Sequence, residues 1–465
     1  MKTPPSFLNR ALCCGLLILP LLGVGSVHGA AFTWDNTGTD YNTAVNWTPD
    51  TVPSGNNVAR FDLAAVTQPN LSLSVSIAGI LFDAAVASGY NVTSSAGQSF
   101  TLTGTDTSGS SGTSNSNAAA LRSEATSGTN TITAPLILGA ASGSQIFFRE
   151  AGGTLIVNGV VSSTNAINLS LRGAGTIELN AANLHTGGTS TDVAANQTLV
   201  IGNNSALGTG TFAVNIATNV QAGGGARTIA NATTLNGTAT IGGSNALTFN
   251  GPVTAAGALS RTLTVNNSAL TTIQGGVFLS DVAGTGRTLL INGTGNVVIN
   301  GQISNFNGAG TAGTLSHGGS GTLTLTNTNI YTGGTLLSGG TTIVTQSGGL
   351  GSGNVSLTAA NVTLTLQGAT NNYISDTAAF SIGFVDDIVN LNYTGTDTIN
   401  TLTIAGVQEA PGIYGAIGSG AQFERPELFG TGTLMVLTQI PEPTTYMLFG
   451  LGVLVCAQQF RRKKS

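Results

Sequence analysis

Asp386 and Asp387 are the only side-by-side carboxylates in the 465-residue chain. A pair of carboxyls is what glycoside hydrolysis requires, one to protonate the leaving oxygen and one to attack or to activate water. Successive residues of a strand point to opposite faces, so these two could converge on one substrate only from a loop, and solvated or turn-forming aspartates are the plainer expectation. Of the three histidines, His28 falls in the N-terminal leader, just past its apolar run, leaving His185 and His317. No spacing of Cys and His suits zinc or another transition metal. The sequence "TGTD" occurs three times, ending at Asp40, Asp106 and Asp397. One carboxylate per copy falls short of the several oxygens calcium takes, and an aspartate bonding its own turn fits the motif better. The glycines from Gly223 to Gly225 lack the Lys-Ser/Thr of a phosphate loop and read as a turn. These residues predict no catalytic group, no metal site and no cofactor.

The elements that would have to position any chemistry are unusual in composition. Gly accounts for 66 residues and charged residues for only 7%, with 41% hydrophobic. Disorder of the usual kind needs high net charge and little hydrophobicity, so the chain is expected to fold. Lys occurs only at Lys2, Lys463 and Lys464, and from Ala31 to Leu437 eight Arg face 18 Asp and Glu. A sparse negative surface without basic clusters is a poor match for a phosphate backbone, which argues against nucleic-acid binding. Cys13, Cys14 and Cys456 all lie in the terminal apolar stretches, so the body has no disulfides and depends on hydrogen bonds and packing.

"GSGTLTLTNTNIYTGGT", Gly319 to Thr335, aligns without gaps on "GAGTIELNAANLHTGGT", Gly173 to Thr189, and "SALGTGTFAV" at 205–214 parallels "GGLGSGNVSL" at 348–357. Leu323 and Leu325 alternate with Thr322, Thr324 and Thr326, so one face can be buried while hydroxyls cover the other. Asn-Gly pairs at "LIVNGVV", "LTFNGPV" and "VVINGQI" turn the chain between short strands. Asn183 and Asn329 hold equivalent positions and are expected to form amide ladders between coils, while His185 takes the slot of Tyr331. The pattern predicts an all-β, right-handed parallel β-helix (β-solenoid) in which each strand lies about 4.8 Å above the last. At roughly 20 residues per coil this gives about 20 coils and a rod on the order of 100 Å. Paired β-sandwiches or a propeller remain the alternatives. Trp34 and Trp47 suit an N-terminal cap better than carbohydrate stacking.

These units resemble the autotransporter-associated β-strand repeat, whose Gly-x-Gly-Thr-Leu-x-Leu, Asn, aromatic, Thr-Gly-Gly-Thr pattern is met in full at Gly319 to Thr335. The first copy departs from it at Glu178 and His185. Residues 394–437 are similar to the segment that closes such repeats. A self-translocating autotransporter would need a C-terminal barrel of at least about 8 strands, whereas 28 residues follow Leu437.

The two ends read as addresses. Lys2 and Arg10 precede an apolar run from Ala11 to Val24 and then small residues, a secretory signal peptide. At the other end Pro441-Glu442-Pro443 is followed by apolar residues from Tyr446 to Ala457 and by Arg461, Arg462, Lys463 and Lys464. The apolar run is read as a short C-terminal transmembrane helix held with its basic end in the cytoplasm. This order resembles the PEP-CTERM sorting signal, which implies handling by exosortase, a membrane-embedded protease-transpeptidase of bacteria that make extracellular polysaccharide, after entry through the Sec export machinery. A plain tail anchor is the alternative.

The expected organisation is a signal peptide at 1–30, a Trp-containing cap and first coils at 31–100, solenoid repeats at 101–380, a closing segment at 381–437 and the sorting signal at 438–465. The expected function is that of an exported, non-catalytic surface or extracellular-matrix protein, structural or adhesive, with exopolysaccharide or other surface proteins as partners. The alternative is a polysaccharide-degrading enzyme on the same scaffold, which a cluster of acids and Arg on one face of adjacent coils would favour.

Overall fold

In the computed structural model, residues 30–438 are described apart from 84–87, 105–119, 150–151, 193–195, 259 and 307–310. The expected signal peptide, sorting segment and C-terminal transmembrane helix lie outside these residues. Among the described residues no helix is long and apolar enough to cross a membrane.

The chain winds into a parallel β-solenoid of about 14 turns. Three faces run along it. Face one is a 16-stranded sheet, face two is split into a 4-stranded and a 9-stranded sheet, and face three is a 13-stranded sheet. Strand residues alternate as expected: Leu323 and Leu325 are fully buried while Thr322 and Thr324 are half-exposed. The buried side chains stack in register from coil to coil, as in Ile177, Leu199 and Val220, and form one continuous apolar core.

The expectation of about 20 coils is corrected to about 14 turns. Coils are longer than assumed, since strand register sets Thr176 opposite Thr198, 22 residues on, and Thr288 opposite Thr314, 26 residues on. At the strand spacing the rod is roughly 65 Å long, not 100 Å.

A stack of parallel strands ends in unpaired backbone groups that invite further pairing. Both ends here turn antiparallel. At the start Ala31–Trp34 pairs antiparallel with Trp47–Thr48, setting Trp34 opposite Trp47. Both indoles are fully buried, 5.1 Å apart, with Tyr41 and Phe61 packed against them and Phe82 and Tyr90 behind Phe61. Trp47 Nε1 donates to the Tyr41 carbonyl at 2.7 Å. The tryptophans are therefore core, with no face left for a sugar. At the far end Thr401–Ile404 pairs antiparallel with Val407–Gln408.

The two repeat copies share one internal design. Asn183 Oδ1 accepts from Val161 N at 2.8 Å in the preceding coil, and Nδ2 donates to the Ala206 carbonyl in the next. Asn329 does the same between Ile303 N and the Gly349 carbonyl. His185 Nε2 meets Thr189 Oγ1 at 2.9 Å, and Tyr331 Oη meets Thr335 Oγ1 at 2.5 Å. Each threonine donates onward to a carbonyl of the next coil, Leu207 or Leu350, at 3.0 Å. A hydroxyl already donating must accept from its ring partner, so His185 carries its proton on Nε2 and plays the part of the phenol.

The copies nevertheless occupy different sides of the rod. Thr176–Leu179 lies on face one and Thr189–Thr191 on face three, whereas Thr322–Leu325 lies on face two and Thr335–Leu337 on face one. In each copy the Asn-to-Gly-Gly segment takes the place of a strand. Face two is interrupted between Val161–Ser163 and Arg227–Ile229, and the 13-stranded sheet of face three ends at Ile303–Ser304; a separate four-stranded sheet begins at Thr396–Ile399, between a face-two and a face-one strand.

Candidate functional site

Asp386 and Asp387, the sequence's only adjacent acids, do not converge. Asp386 is exposed and Asp387 buried. The Asp387 carboxylate accepts from Val362 N at 3.1 Å and Phe384 N at 3.0 Å, which makes it a turn-former. His185 and His317 are likewise interior. Burial drives both imidazoles down to about 4, and His317 Nδ1 lies 2.9 Å from Thr342 Oγ1. Asp40 organises the cap loop through Asn42 N and Thr43 Oγ1. Asp106 lies outside the described residues. Gly224 and Gly225 have positive φ, as a turn requires. Among the described residues no three His, Cys, Asp or Glu come together as metal ligands.

Asp397 is fully buried, with Oδ2 accepting from Tyr373 N and Ile374 N at 3.0 and 3.1 Å and Oδ1 without a partner. It occupies the role of the ladder asparagines but lacks their amide donor. Burial, augmented by Asp376, lifts its carboxyl to about 7 against the pull of these backbone donors.

The constellation that sequence reading missed lies on face three near the N-terminal end. Strand register sets Arg60 beside Leu81 and Leu81 beside Arg122, so the outward acids one step past each strand's last core residue, Asp62, Asp83 and Glu124, fall on successive coils. Arg60 bonds Asp83 at 2.6 Å and approaches Asp62 at 3.8 Å, and Arg122 Nε bonds Glu124 at 2.5 Å. Glu124 lies next to Asp83 on the adjoining coil. Its carboxyl is raised by burial, lowered by Arg122, and raised again by Asp83. Both carboxyls are engaged by guanidinium groups, Asp83 by Arg60 and Glu124 by Arg122. The signal was present as "RFD" at 60–62, "LFD" at 81–83 and "RSE" at 122–124. The long insertion between the second and third copies hides their common register.

The sorting residues Pro441, Glu442 and Pro443 and the basic cluster Arg461, Arg462, Lys463 and Lys464 lie outside the described residues. No curated protein and no solved structure matches the chain. The likeness of the body to the autotransporter-associated repeat rests on the solenoid fold and the duplicated coils alone. Residues 439–463 match the PEP-CTERM protein-sorting motif. The chain therefore carries an exosortase sorting signal and is an exported protein, anchored transiently in the membrane by its tail before processing.

Proposed function

We propose that the protein is a non-catalytic structural or adhesive component of the cell surface or extracellular matrix, associated with exopolysaccharide and built from coils of the autotransporter-associated type. The observation that carries this reading is the consumption of polar chemistry by the scaffold. His185, His317, Asp387 and Asp397 each sit inside the rod holding coils together, and the Asp83–Glu124 pair is tied to Arg60 and Arg122. A rod of this kind acts as a spacer whose outer face of Thr, Ser and Asn hydroxyls and amides meets the polymer around it.

The second reading, a polysaccharide-degrading enzyme, has one observation in its favour: the acids and arginines from Arg60 to Glu124 do share one face of adjacent coils. Incubating the purified protein with neutral and uronate polysaccharides and measuring new reducing ends and unsaturated products decides between them. No product is expected. Turnover abolished by Asp83→Asn with Glu124→Gln would establish the enzyme instead. In cells, mass spectrometry is expected to find the exported body without its basic tail, and replacing Pro441, Glu442 and Pro443 by Ala is expected to leave the tail attached and the protein in the membrane fraction.

A further inference from the structure

Where face two is interrupted, the rod carries a lateral groove of about 480 Å³. It crosses three consecutive coils: Leu184 on the first, Asn204, Ser205, Thr209 and Thr211 on the second, Ala232 on the third. Its size lies within the ~300–1,000 Å³ of small-ligand clefts. The cause is the absence of a face-two strand on two successive coils, at the Asn-to-Gly-Gly segment of the first copy and at the loop between Gln197–Ile201 and Phe212–Val214.

The floor is rigid. Asn183 Nδ2 reaches the Ala206 carbonyl from within, and Asn231 Nδ2 donates to the carbonyls of Gly208 and Gly210 at 3.1 and 2.6 Å. Gly208 N bonds Ser205 O, and Thr209 N bonds His185 O. A Cβ at Gly208 would stand 2.4 Å from the His185 carbonyl, so the floor is also kept low by glycine. A site held in this way loses little entropy when it is filled.

The lining carries no charged side chain. Hydroxyls of Ser205, Thr209 and Thr211 and the amide of Asn204 alternate with the exposed methyl surfaces of Leu184 and Ala232. Asn204 Oδ1 is taken by Thr228 N at 3.0 Å, which turns its Nδ2 donor free of that contact. Hydroxyl and amide groups interleaved with methyls match a molecule that presents both O–H groups and C–H faces. The body's eight Arg against 18 acids disfavour an anionic polymer lying along the rod.

We propose that this groove binds a short segment of a neutral polysaccharide. The proposal deepens the matrix-association reading and rests on it. Titration calorimetry on the exported protein, purified as the cell processes it, tests it with cellohexaose and mannohexaose as neutral probes and hexagalacturonate as the anionic one. One neutral hexasaccharide is expected to bind at micromolar to millimolar concentration. Ala232→Trp, which fills the groove, should weaken it roughly ten-fold or more, whereas Leu73→Trp on the exposed cap should leave it unchanged. Should Ala232→Trp misfold by thermal melting, the double change Thr209→Ala with Thr211→Ala removes the hydroxyls without added bulk and should give the same loss. The groove assignment is overturned if neither neutral probe binds, if hexagalacturonate binds more tightly, or if binding survives the groove variants. Co-sedimentation with isolated envelope polysaccharide separates the two levels: wild-type protein that co-sediments while the groove results are negative retains the matrix reading, and wild-type protein that fails to co-sediment loses it.

Discussion

The buried amides show how one atom decides a residue's fitness. Asn183 and Asn329 accept from the coil before and donate to the coil after, whereas Asp397 once ionised can only accept and leaves Oδ1 alone in the core. Its carboxyl titrates at about 7, above its ordinary 3.8, so the folded state holds the proton more tightly than the unfolded chain. The resulting stability is complete below about 3.8 and is lost as pH rises through about 7. Asp397→Asn supplies the missing donor and should stabilise the protein by about 1–3 kcal/mol at pH 8, with little effect at pH 4; melting curves of both proteins at the two values check this. The histidines work in the opposite sense. Depressed from 6.5 to about 4 by burial, they favour the fold above about 6.5 and withdraw that support as pH falls towards 4. Because Tyr331 fills the same slot with the same threonine bond, His185→Tyr should fold and should reduce the loss of melting temperature between pH 6.5 and pH 4.

At the scale of elements, the corner that replaces a strand depends on glycine. Gly334 has φ +98°, and a Cβ there would lie 2.6 Å from the Asn354 carbonyl of the next coil; Gly188 has φ +96° and meets the Thr211 carbonyl at the same distance. Both the backbone conformation and the approach exclude a side chain. Gly334→Ala should therefore cost about 2 kcal/mol or more, read as a shift in the denaturation midpoint, while Ser338→Ala on the adjoining surface should cost little. The segment of the first copy that ends at Gly188 borders the lateral groove, so a feature of chain geometry also shapes the surface offered to a ligand.

For the whole molecule, nearest-neighbour contact is the governing property. Each coil touches the one before and the one after, so stability adds coil by coil and a complete coil can be lost without undoing the rest. Ala239 is in register with Leu263. Deleting residues 239–262 should give a folded rod about 4.8 Å shorter, measurable by solution scattering, with a lower melting temperature and an intact cooperative transition. A deletion that leaves the chain unfolded would show that the coils are held by something beyond their neighbours.

The sequence by itself determined the coil. Thr/Leu alternation, the paired asparagines, the shared slot of His185 and Tyr331 and the paired glycines recur at 173–189 and 319–335, which made them legible without any tertiary information; the bond from each ring to its threonine was seen only in the fold. The address at 439–463 was legible for the same reason, being a linear motif that is read along the chain. Only the tertiary structure decided which face each unit occupies, because that depends on the summed lengths of all preceding coils, which vary. A small change in phase moved the second copy from faces one and three to faces two and one. The Asp62, Asp83 and Glu124 ladder and the groove across three coils belong to the same class: each joins residues on different turns, and the distance between them along the rod is set by stacking, not by their separation in sequence.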